Sequence, residues 1–386
     1  MIERKLINRL KYFSTVYPVV TVTGPRQSGK TTLVKHAFPN YDYISLEDPD
    51  IRQIAINDPR KLVEGKSKRI IIDEVQRVPD LFSYIQGIVD SSDFDGQFIL
   101  TGSQNFLLLE NISQTLAGRV AILKLMPLSI NEVMLNEEGK IDVDSLIFNG
   151  FYPRMYQKKI KAVDYYPFYI QTYVERDVKL IRNIPDQTVF IRFIKMCAGR
   201  IGQLLNITEL ANACGITQIT AKAWLSVLEA SYLIYFLQPH YQNFNKRLVK
   251  MPKLYFIDTG LACSLLGINS SDQIPVHFAY GALFENFIIN EFLKHDLNNV
   301  LQPELYFWRD KHGKEIDLII PKNNIVKPVE IKAGKTFSYD FVKNIKYWNK
   351  LSDSSPENSY VIYGGNKDLK VADANIISWE NINKIL

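Results

Sequence analysis

The sequence predicts an α/β protein that begins with a doubly wound parallel sheet and continues into a helical middle and a second α/β unit. Short apolar, β-branched segments alternate with helical ones over roughly the first 130 residues, the pattern of a parallel sheet covered on both faces. The first segment, Val19–Val22, leads directly into the turn Gly24–Gly29 and then into a predicted helix. The third, Arg69–Glu74, ends in two consecutive acids. Strand ends of this kind are where doubly wound sheets bind ligands.

The composition is that of an ordinary globular protein with room for two to four domains. The chain has 386 residues, of which 46% are hydrophobic and 23% are charged. A net charge of +5 permits a nucleic-acid partner without requiring one. The three cysteines are far apart, which argues against a disulfide framework and a zinc ribbon. Apolar runs stay well short of the roughly 20 residues of a membrane span, so we expect no membrane partner and a cytoplasmic location.

The turn after the first strand fits the phosphate-loop pattern G-x-x-x-x-G-K-[ST]. The predicted nucleotide-binding residues are Gly24, Pro25, Arg26, Gln27, Ser28, Gly29, Lys30, Thr31 and Thr32. Glycines allow backbone N–H groups to surround an anion, and the helix that follows directs its positive end toward it. Lys30 would reach the β- and γ-phosphates, and the Thr31 hydroxyl would hold Mg²⁺. ATP and Mg²⁺ are therefore the expected cofactors.

Acids and hydroxyls at two later strand ends extend this site. Asp73 would accept a hydrogen bond from a Mg²⁺-bound water, and Glu74 would polarise the attacking water. Acids at a strand end are also often simple solvated loop residues. Ser103, or Thr101 in its place, follows the strand Gly96–Leu100 and would sense loss of the γ-phosphate. A plain turn at this point is the alternative.

Two further strands complete the predicted five-stranded sheet. They are Tyr41–Leu46, the second in sequence, and Val120–Leu125, the fifth. Arg119 enters the fifth strand and would supply positive charge to the transition state, either within its own chain or to a neighbouring subunit of a homo-oligomer. An ordinary surface arginine fits the same spacing equally well.

The middle of the chain combines an aromatic helical region with the plan of a winged helix-turn-helix. The aromatic residues between 128 and 195 fit a helical core better than a base-stacking surface. A short helix from Asn206, a turn at Gly215, the helix Thr217–Ala230 and the strand Leu233–Gln238 then follow. Packing against protein is the alternative to DNA binding. The candidate DNA contacts are Thr217, Gln218, Thr220 and Lys222 for the groove, and Lys246, Arg247, Lys250 and Lys253 for phosphates or solvent.

The last part contains a candidate metal site. Side chains alternate along strands, so Glu315 and Asp317 share one face of Lys314–Ile320, and Glu330 and Lys332 share another face of Pro328–Lys332. The carboxylates of Glu285, Asp317 and Glu330 would hold Mg²⁺, with Lys332 beside them to orient water, as a metal-dependent nuclease needs. Exposed strands that alternate glutamate and lysine are the alternative.

Taken together, the sequence resembles prokaryotic AAA-type ATPases that carry a C-terminal domain of unknown function with a restriction-nuclease-like core. The matching stretches are GPRQSGKTT, IIIDEVQ, LTGSQNF, LAGRV, YVERDV, PKLYFIDTGLA, FENFIINE, FWRDKHGKEIDLII and VEIKAGK. The resemblance implies ATP binding and hydrolysis, a winged-helix middle and a PD-(D/E)xK-type C-terminal fold. It carries over the following roles: Lys30, Thr31, Asp73 and Glu74 at the nucleotide, Ser103 as sensor, Arg119 as arginine finger, and Glu285, Asp317, Glu330 and Lys332 in the nuclease-like core.

We therefore expect four domains. They are an ATPase domain at 1–130, a helical lid at 131–187, a winged helix at 188–250 and a nuclease-like domain at 251–386. The expected function is a Mg²⁺-dependent ATPase that couples nucleotide state to a DNA-associated C-terminal half. The alternatives are a nucleotide-dependent protein-binding switch without nuclease activity, and an ATP-regulated endonuclease. ATP or ADP, double-stranded DNA and a second copy of the chain are the candidate partners.

Overall fold

The first part of the fold is a parallel sheet with helices on both sides. The computed structural model describes residues 2–64, 69–102, 112, 115–136, 139, 141–173, 186–240, 250–322 and 325–386. The sheet has the order β2-β3-β4-β1-β5, and all its pairings are parallel. Its strands are β1 (Val19–Thr23), β2 (Asp42–Ser45), β3 (Ile70–Asp73), β4 (Phe98–Gly102) and β5 (Val120–Lys124). The helices are α1 (Leu6–Phe13), α2 (Lys30–Ala37), α3 (Pro49–Asn57), α4 (Pro59–Glu64) and α5 (Leu81–Asp90).

Burial on both faces explains why these strands are continuous apolar runs. Every residue of β1, β3 and β4 is buried. Along β3, Ile70 and Ile72 pack into the hydrophobic cluster on one face, whereas Ile71 packs into the cluster on the other. A parallel sheet covered by helices on both sides produces this pattern. The predicted five-stranded parallel sheet is confirmed, with each strand within two residues of its expected bounds.

A helical region follows the sheet. Its helices are α6 (Ile130–Met134), α7 (Val143–Asn149), α8 (Pro153–Lys158), α9 (Ala162–Tyr173), α10 (Gln187–Ala198), α11 (Ile207–Cys214) and α12 (Gln218–Ala230). Side-chain caps fix the starts of the last two, because Asn206 accepts from the Glu209 N–H and Thr217 accepts from the Thr220 N–H. Gly215 ends α11 with φ 69°, a left-handed conformation that glycine adopts without strain. The predicted turn between two helices therefore lies where expected.

The remaining strands form one mixed sheet of eight. Its order is β12-β13-β11-β10-β9-β8-β6-β7. The strands are β6 (Ile234–Pro239), β7 (Lys253–Phe256), β8 (Tyr306–Arg309), β9 (Glu315–Lys322), β10 (Ile325–Lys332), β11 (Tyr360–Tyr363), β12 (Leu369–Val371) and β13 (Ala374–Ser378). The helices that pack with it are α13 (Thr259–Leu265), α14 (Tyr280–Asn298) and α15 (Lys343–Ser352).

The sheet crosses the domain boundary that we expected at residues 250/251. β6 pairs in parallel with β8 through Gln238 and Tyr306, and antiparallel with β7 through Leu237 and Lys253. Strands from both sides of the expected boundary therefore share backbone hydrogen bonds. Local sequence patterns do not reveal the pairing of β6 with β8, because the paired residues lie more than 60 positions apart in the chain.

A buried aspartate joins the helical region to this second half. Asp258 caps α13 by accepting from the Leu261 N–H at 2.9 Å, and the same carboxylate accepts from the Phe151 N–H at 2.7 Å and from the Tyr166 hydroxyl at 2.6 Å. Burial raises the pKa of Asp258, although these three donors act to lower it. Gly150, with φ 66°, lies so close that an added Cβ would collide with the Tyr166 hydroxyl.

We expect Asp258→Ala to lower the free energy of unfolding by about 3–4 kcal/mol, because it leaves three buried donors without their acceptor. The control is Asp142→Ala, which removes the exposed cap of α7 and is expected to lower it by only about 1 kcal/mol. Urea unfolding followed by far-ultraviolet circular dichroism measures both. Equal losses in the two variants would contradict the junction role of Asp258.

Candidate functional site

The phosphate loop connects β1 to α2 and holds its lysine inward. Gly24 has φ 142°, and a side chain there would collide with the backbone carbonyl of Leu125. Gly29 precedes α2 in a left-handed conformation with φ 94°. Lys30 is buried, and its Nζ donates to the carbonyl oxygens of Gly24 at 3.0 Å and Pro25 at 2.8 Å. The ammonium therefore lies over its own loop, and Thr31 and Thr32 follow it in the first turn of the helix.

Asp73, at the end of β3, gathers hydroxyl groups from three elements. Its Oδ2 accepts from the Thr31 hydroxyl at 2.9 Å and from the Tyr43 hydroxyl at 2.7 Å, and its Oδ1 accepts from the Thr101 hydroxyl at the end of β4. Thr101, the alternative sensor, thus contacts Asp73 directly. Ser103 lies outside the described residues. The sequence analysis missed Tyr43, whose place in β2 gives it no motif, and burial together with Asp73 raises its pKa.

Glu74 leaves the strand in an unusual backbone conformation. Its φ of 57° and ψ of 43° are left-handed, which costs a residue other than glycine on the order of 1–3 kcal/mol. Its carboxylate accepts from the Gln76 side-chain amide at 2.5 Å. Glu74 lines the same cavity as Lys30 and Thr31.

A cavity of about 1090 Å³ opens above the phosphate loop. The loop and the start of α2 form one wall, and α8, α9 and the start of α10 contribute the other. Cationic side chains outnumber acidic ones in its lining: Arg4, Arg26, Lys30, Arg154 and Lys158 against Glu47 and Glu74. Arg154 and Lys158, which the sequence analysis missed, belong to no motif because they come from a helix more than 120 residues downstream.

The N-terminal segment contacts the phosphate loop through Arg4, another residue that the sequence analysis missed. Arg4 is 4% exposed. Its guanidinium donates to the Ser28 carbonyl at 2.7 Å, to the Met126 carbonyl at 2.6 Å and to the Glu132 carboxylate at 3.2 Å. The same carboxylate accepts from the backbone of Lys5 and closes the capping box of α6. Arg4 therefore ties the loop, the end of the sheet and the first helix after it together.

Three further contacts tie the phosphate loop and the segment after β5 to the rest of the chain. The Tyr165 hydroxyl on α9 donates to the Gln27 side chain at 2.9 Å, and Gln27 has a left-handed φ of 59°. Next to Glu132, the Ile130 N–H donates to the Glu291 carboxylate of α14 at 2.8 Å. The Lys294 ammonium, one turn further along α14, donates to the Leu128 carbonyl at 2.7 Å.

Arg119 lies away from the cavity. It precedes β5, whose Val120 pairs with Val19 at the start of β1, whereas the phosphate loop follows the far end of β1. Five residues of strand separate the two edges by about 15 Å. Arg119 forms an exposed ion pair with Asp90. The expectation that it serves its own chain's site is therefore corrected, and a role toward a neighbouring chain stays a prediction.

The candidate metal residues of the second half come together, but lysines lie among them. Lys332 Nζ is 2.6 Å from Glu330 Oε1 and 3.5 Å from Asp317 Oδ2, so these three residues lie on one side of the sheet. Glu285 Oε1 is 3.0 Å from Lys253 Nζ. The described residues contain no group of three or more His, Cys, Asp or Glu side chains arranged to hold a metal ion.

Lys253 corrects a second expectation. We expected it to contact DNA phosphates or solvent, but its side chain is 2% exposed and bonded to two carboxylates, those of Glu285 and Glu315. Burial lowers its pKa, but these two acids more than offset that and hold the pKa above its usual range. Burial, with the charge of Asp317, raises the pKa of Glu330 to about 8. Lys246 and Arg247 lie outside the described residues.

Three regions of the chain match known domain families. Residues 16–134 match the AAA domain family, residues 140–272 match a domain of unknown function (DUF8612), and residues 280–382 match another (DUF4143). The five-stranded parallel sheet, the phosphate loop and the AAA match define an ATP-binding protein of the P-loop ATPase class. No helix in the described part of the chain is long and apolar enough to cross a membrane.

The relatives identify the family. The chain is 33% identical over 326 residues to uncharacterized protein Rv2008c of Mycobacterium tuberculosis, and this alignment covers 83% of this chain and 71% of that protein. Our chain belongs to the family of that mycobacterial protein. It is 22% identical over 360 residues to uncharacterized protein MJ1544 of Methanocaldococcus jannaschii, covering 83% and 74%. Among solved structures, the Walker-type ATPase paby2304 of Pyrococcus abyssi is similar at 15% identity and a TM-score of 0.47, covering 69% of this chain and 96% of that one.

We expect Arg4→Met to weaken ATP binding roughly tenfold, because the phosphate loop loses a charged hydrogen bond to the Ser28 carbonyl. Arg9→Met is the matched control, since Arg9 is exposed on the helix that follows and is expected to leave the affinity unchanged. Titration with a fluorescent ATP analogue measures both variants. Unchanged affinity in a folded Arg4→Met protein would contradict the positioning role.

Proposed function

We propose that this protein hydrolyses ATP in a Mg²⁺-dependent reaction, with the nucleotide in the cavity above the phosphate loop. The observation that carries the proposal is the joint lining of that cavity by Lys30, Thr31 and Glu74. Asp73 supports it by accepting a hydrogen bond from the Thr31 hydroxyl. The cavity is as large as those that enclose drug-sized ligands, about 300–1,000 Å³, and its lining has an excess of cations suited to a triphosphate.

The donor set next to the loop fits a magnesium ion. Mg²⁺ prefers oxygen ligands, and the Thr31 hydroxyl and Asp73 carboxylate are already within hydrogen-bond distance of each other. These two residues would hold the ion, which would neutralise charge on the phosphate oxygens. Backbone N–H groups of the loop and the Lys30 ammonium would bind the β- and γ-phosphates, and Lys30 would leave the Gly24 and Pro25 carbonyls to do so. Glu74 would orient a water molecule and accept its proton.

Cations on the opposite wall support a nucleotide-dependent change in shape. Arg154 and Lys158 lie on α8, across the cavity from the loop. A bound triphosphate would attract both, which favours closure of α8 and α9 toward α2. The Tyr166–Asp258 hydrogen bond would carry such a movement from α9 into the second half of the chain. ATP would in this way act on the affinity of that half for a partner.

Binding of double-stranded DNA by the second half of the chain is the second candidate function. One observation favours it: the start of α12 is exposed at Thr217, Gln218 and Lys222, which is the end that a helix-turn-helix presents to the major groove. Thr220 is half-buried and forms a hydrogen bond with Thr217. Lys250, just before β7, is exposed and would lie near the same DNA backbone.

We expect Lys30→Ala to abolish nucleotide binding, and Glu74→Gln to retain binding while lowering the rate of hydrolysis roughly 10²–10⁴-fold. The two variants differ because Lys30 would contact the phosphates, whereas Glu74 would contact the attacking water. Binding of a fluorescent ATP analogue and release of phosphate measure the two effects separately. Glu47→Gln changes another acid of the cavity and is the control for the loss of charge. Hydrolysis at the wild-type rate in Glu74→Gln would contradict the assignment of the base.

For DNA, we expect Lys222→Glu combined with Lys250→Glu to weaken binding and to reduce the salt slope by about one unit for each phosphate that the protein no longer neutralises. Fluorescence anisotropy with a labelled duplex at several salt concentrations gives the slope. Lys370→Glu is the control, because Lys370 is exposed on β12, at the other end of the sheet from β7. Identical slopes in the double variant and the wild type would exclude this DNA surface.

A further inference from the structure

A buried ammonium group lies among the carboxylates of the second half. Lys253 extends from β7, and its Nζ contacts Glu285 of α14 at 3.0 Å and Glu315 of β9. The Tyr255 hydroxyl, two residues along the same strand, also contacts Glu285. Arg309 of β8 donates to the other oxygen of Glu315 at 3.0 Å. Three elements of the fold are therefore joined through one lysine side chain.

A second lysine serves the neighbouring acids in the same way. Lys332 of β10 contacts Glu330 at 2.6 Å and Asp317 at 3.5 Å. Asp317 also accepts from the Ile331 N–H at 2.8 Å, and Glu330 accepts from the Asn344 amide at 3.0 Å. Asp317 Oδ2 and Glu330 Oε1 are thus already bonded to protein donors, whereas the buried Glu330 Oε2 has no hydrogen-bond partner in the described part of the chain.

The charges nearly balance without an added cation. Four carboxylates, those of Glu285, Glu315, Asp317 and Glu330, meet three cationic groups, those of Lys253, Arg309 and Lys332. Three fixed cations therefore offset most of the negative charge of the four acids. A divalent ion that used Glu285 Oε1 or Glu315 Oε1 would have to displace the Lys253 ammonium, because that ammonium contacts both oxygens and Mg²⁺ requires its oxygen ligands at about 2.0–2.1 Å.

We propose that the Lys253 ammonium takes the place of the divalent cation that this set of carboxylates would otherwise bind. The acids of β9, β10 and α14 are then ion-pair partners that hold β7, the last strand of the sheet, and α14 against it. The second half of the chain is a metal-independent binding module that does not cleave DNA. The resemblance to nucleases covers Glu285, Asp317, Glu330 and Lys332. Lys253 adds a buried positive charge where a nuclease would bind a metal ion.

Manganese binding tests this proposal without relying on catalysis. Nucleotide-free wild-type protein, Asp317→Asn, Lys253→Met and the double variant Lys253→Met/Asp317→Asn are titrated with Mn²⁺, and free Mn²⁺ is measured by electron paramagnetic resonance. Methionine keeps the length of the side chain and removes the charge. Lys346→Met is the matched control, because Lys346 is an exposed lysine 3.7 Å from a single acid, Asp373. Lys253→Gln replaces Lys253→Met if the latter does not fold.

We expect no stoichiometric Mn²⁺ site in the wild type or in Lys346→Met. Lys253→Met is expected to bind Mn²⁺ at least about tenfold more tightly than the wild type, and the added Asp317→Asn change is expected to remove that gain. A stoichiometric Mn²⁺ site in the wild type that Asp317→Asn abolishes would overturn the proposal. Failure of folded Lys253→Met to gain Mn²⁺ affinity would overturn it as well. Nicking of supercoiled DNA by the wild type, absent in Asp317→Asn, would do so independently.

Discussion

The buried guanidinium of Arg4 is the interaction on which the nucleotide cavity depends. Removing a charged group from water is expensive unless its hydrogen bonds are replaced, and here the Ser28 and Met126 carbonyls and the Glu132 carboxylate replace them. Each partner belongs to a different part of the fold: the phosphate loop, the segment after β5 and the first helix of the middle region. Loss of Arg4 would also leave Glu132 buried without its cation. The segment that precedes the matched AAA domain is therefore part of the site.

The cavity has walls from two matched regions, so a ligand that filled it would contact both. The AAA domain supplies the loop, and the neighbouring domain of unknown function supplies Arg154 and Lys158. Hydrogen bonds already link the two walls through Gln27 and Tyr165, and Asp258 links the second wall to the remaining chain. Energetic coupling between two sites rests on an element with two arrangements whose equilibrium both sites bias. The helices α8 and α9 are the element that lies between the loop and Asp258.

Local sequence patterns predict the features of the molecule that are determined by residues close together in the chain. The strands of the first sheet, the phosphate loop and the turn at Gly215 follow from periodicity and glycine placement over a few residues. Arg4, Arg154 and Tyr43 reach the site through tertiary packing, and no spacing in the sequence marks them. Lys253 is buried against acids that lie 32 and 62 residues further along the chain, so its place in a basic segment wrongly indicated exposure. Arg119 was predictable in principle, because a residue that precedes a parallel strand lies at the edge opposite the ligand.

The pairing of β6 with β8 makes the two matched domains of unknown function depend on each other for a complete sheet. The matched domain at residues 140–272 contains β6 and β7, and the one at residues 280–382 contains β8 and the strands beyond it. Neither region has a complete sheet alone, and separating them would expose the backbone groups of β6 and β8 as open edges that invite aggregation. A chain that carried one region without the other would retain such an open edge, whereas every pairing of the five-stranded parallel sheet lies within residues 19–124.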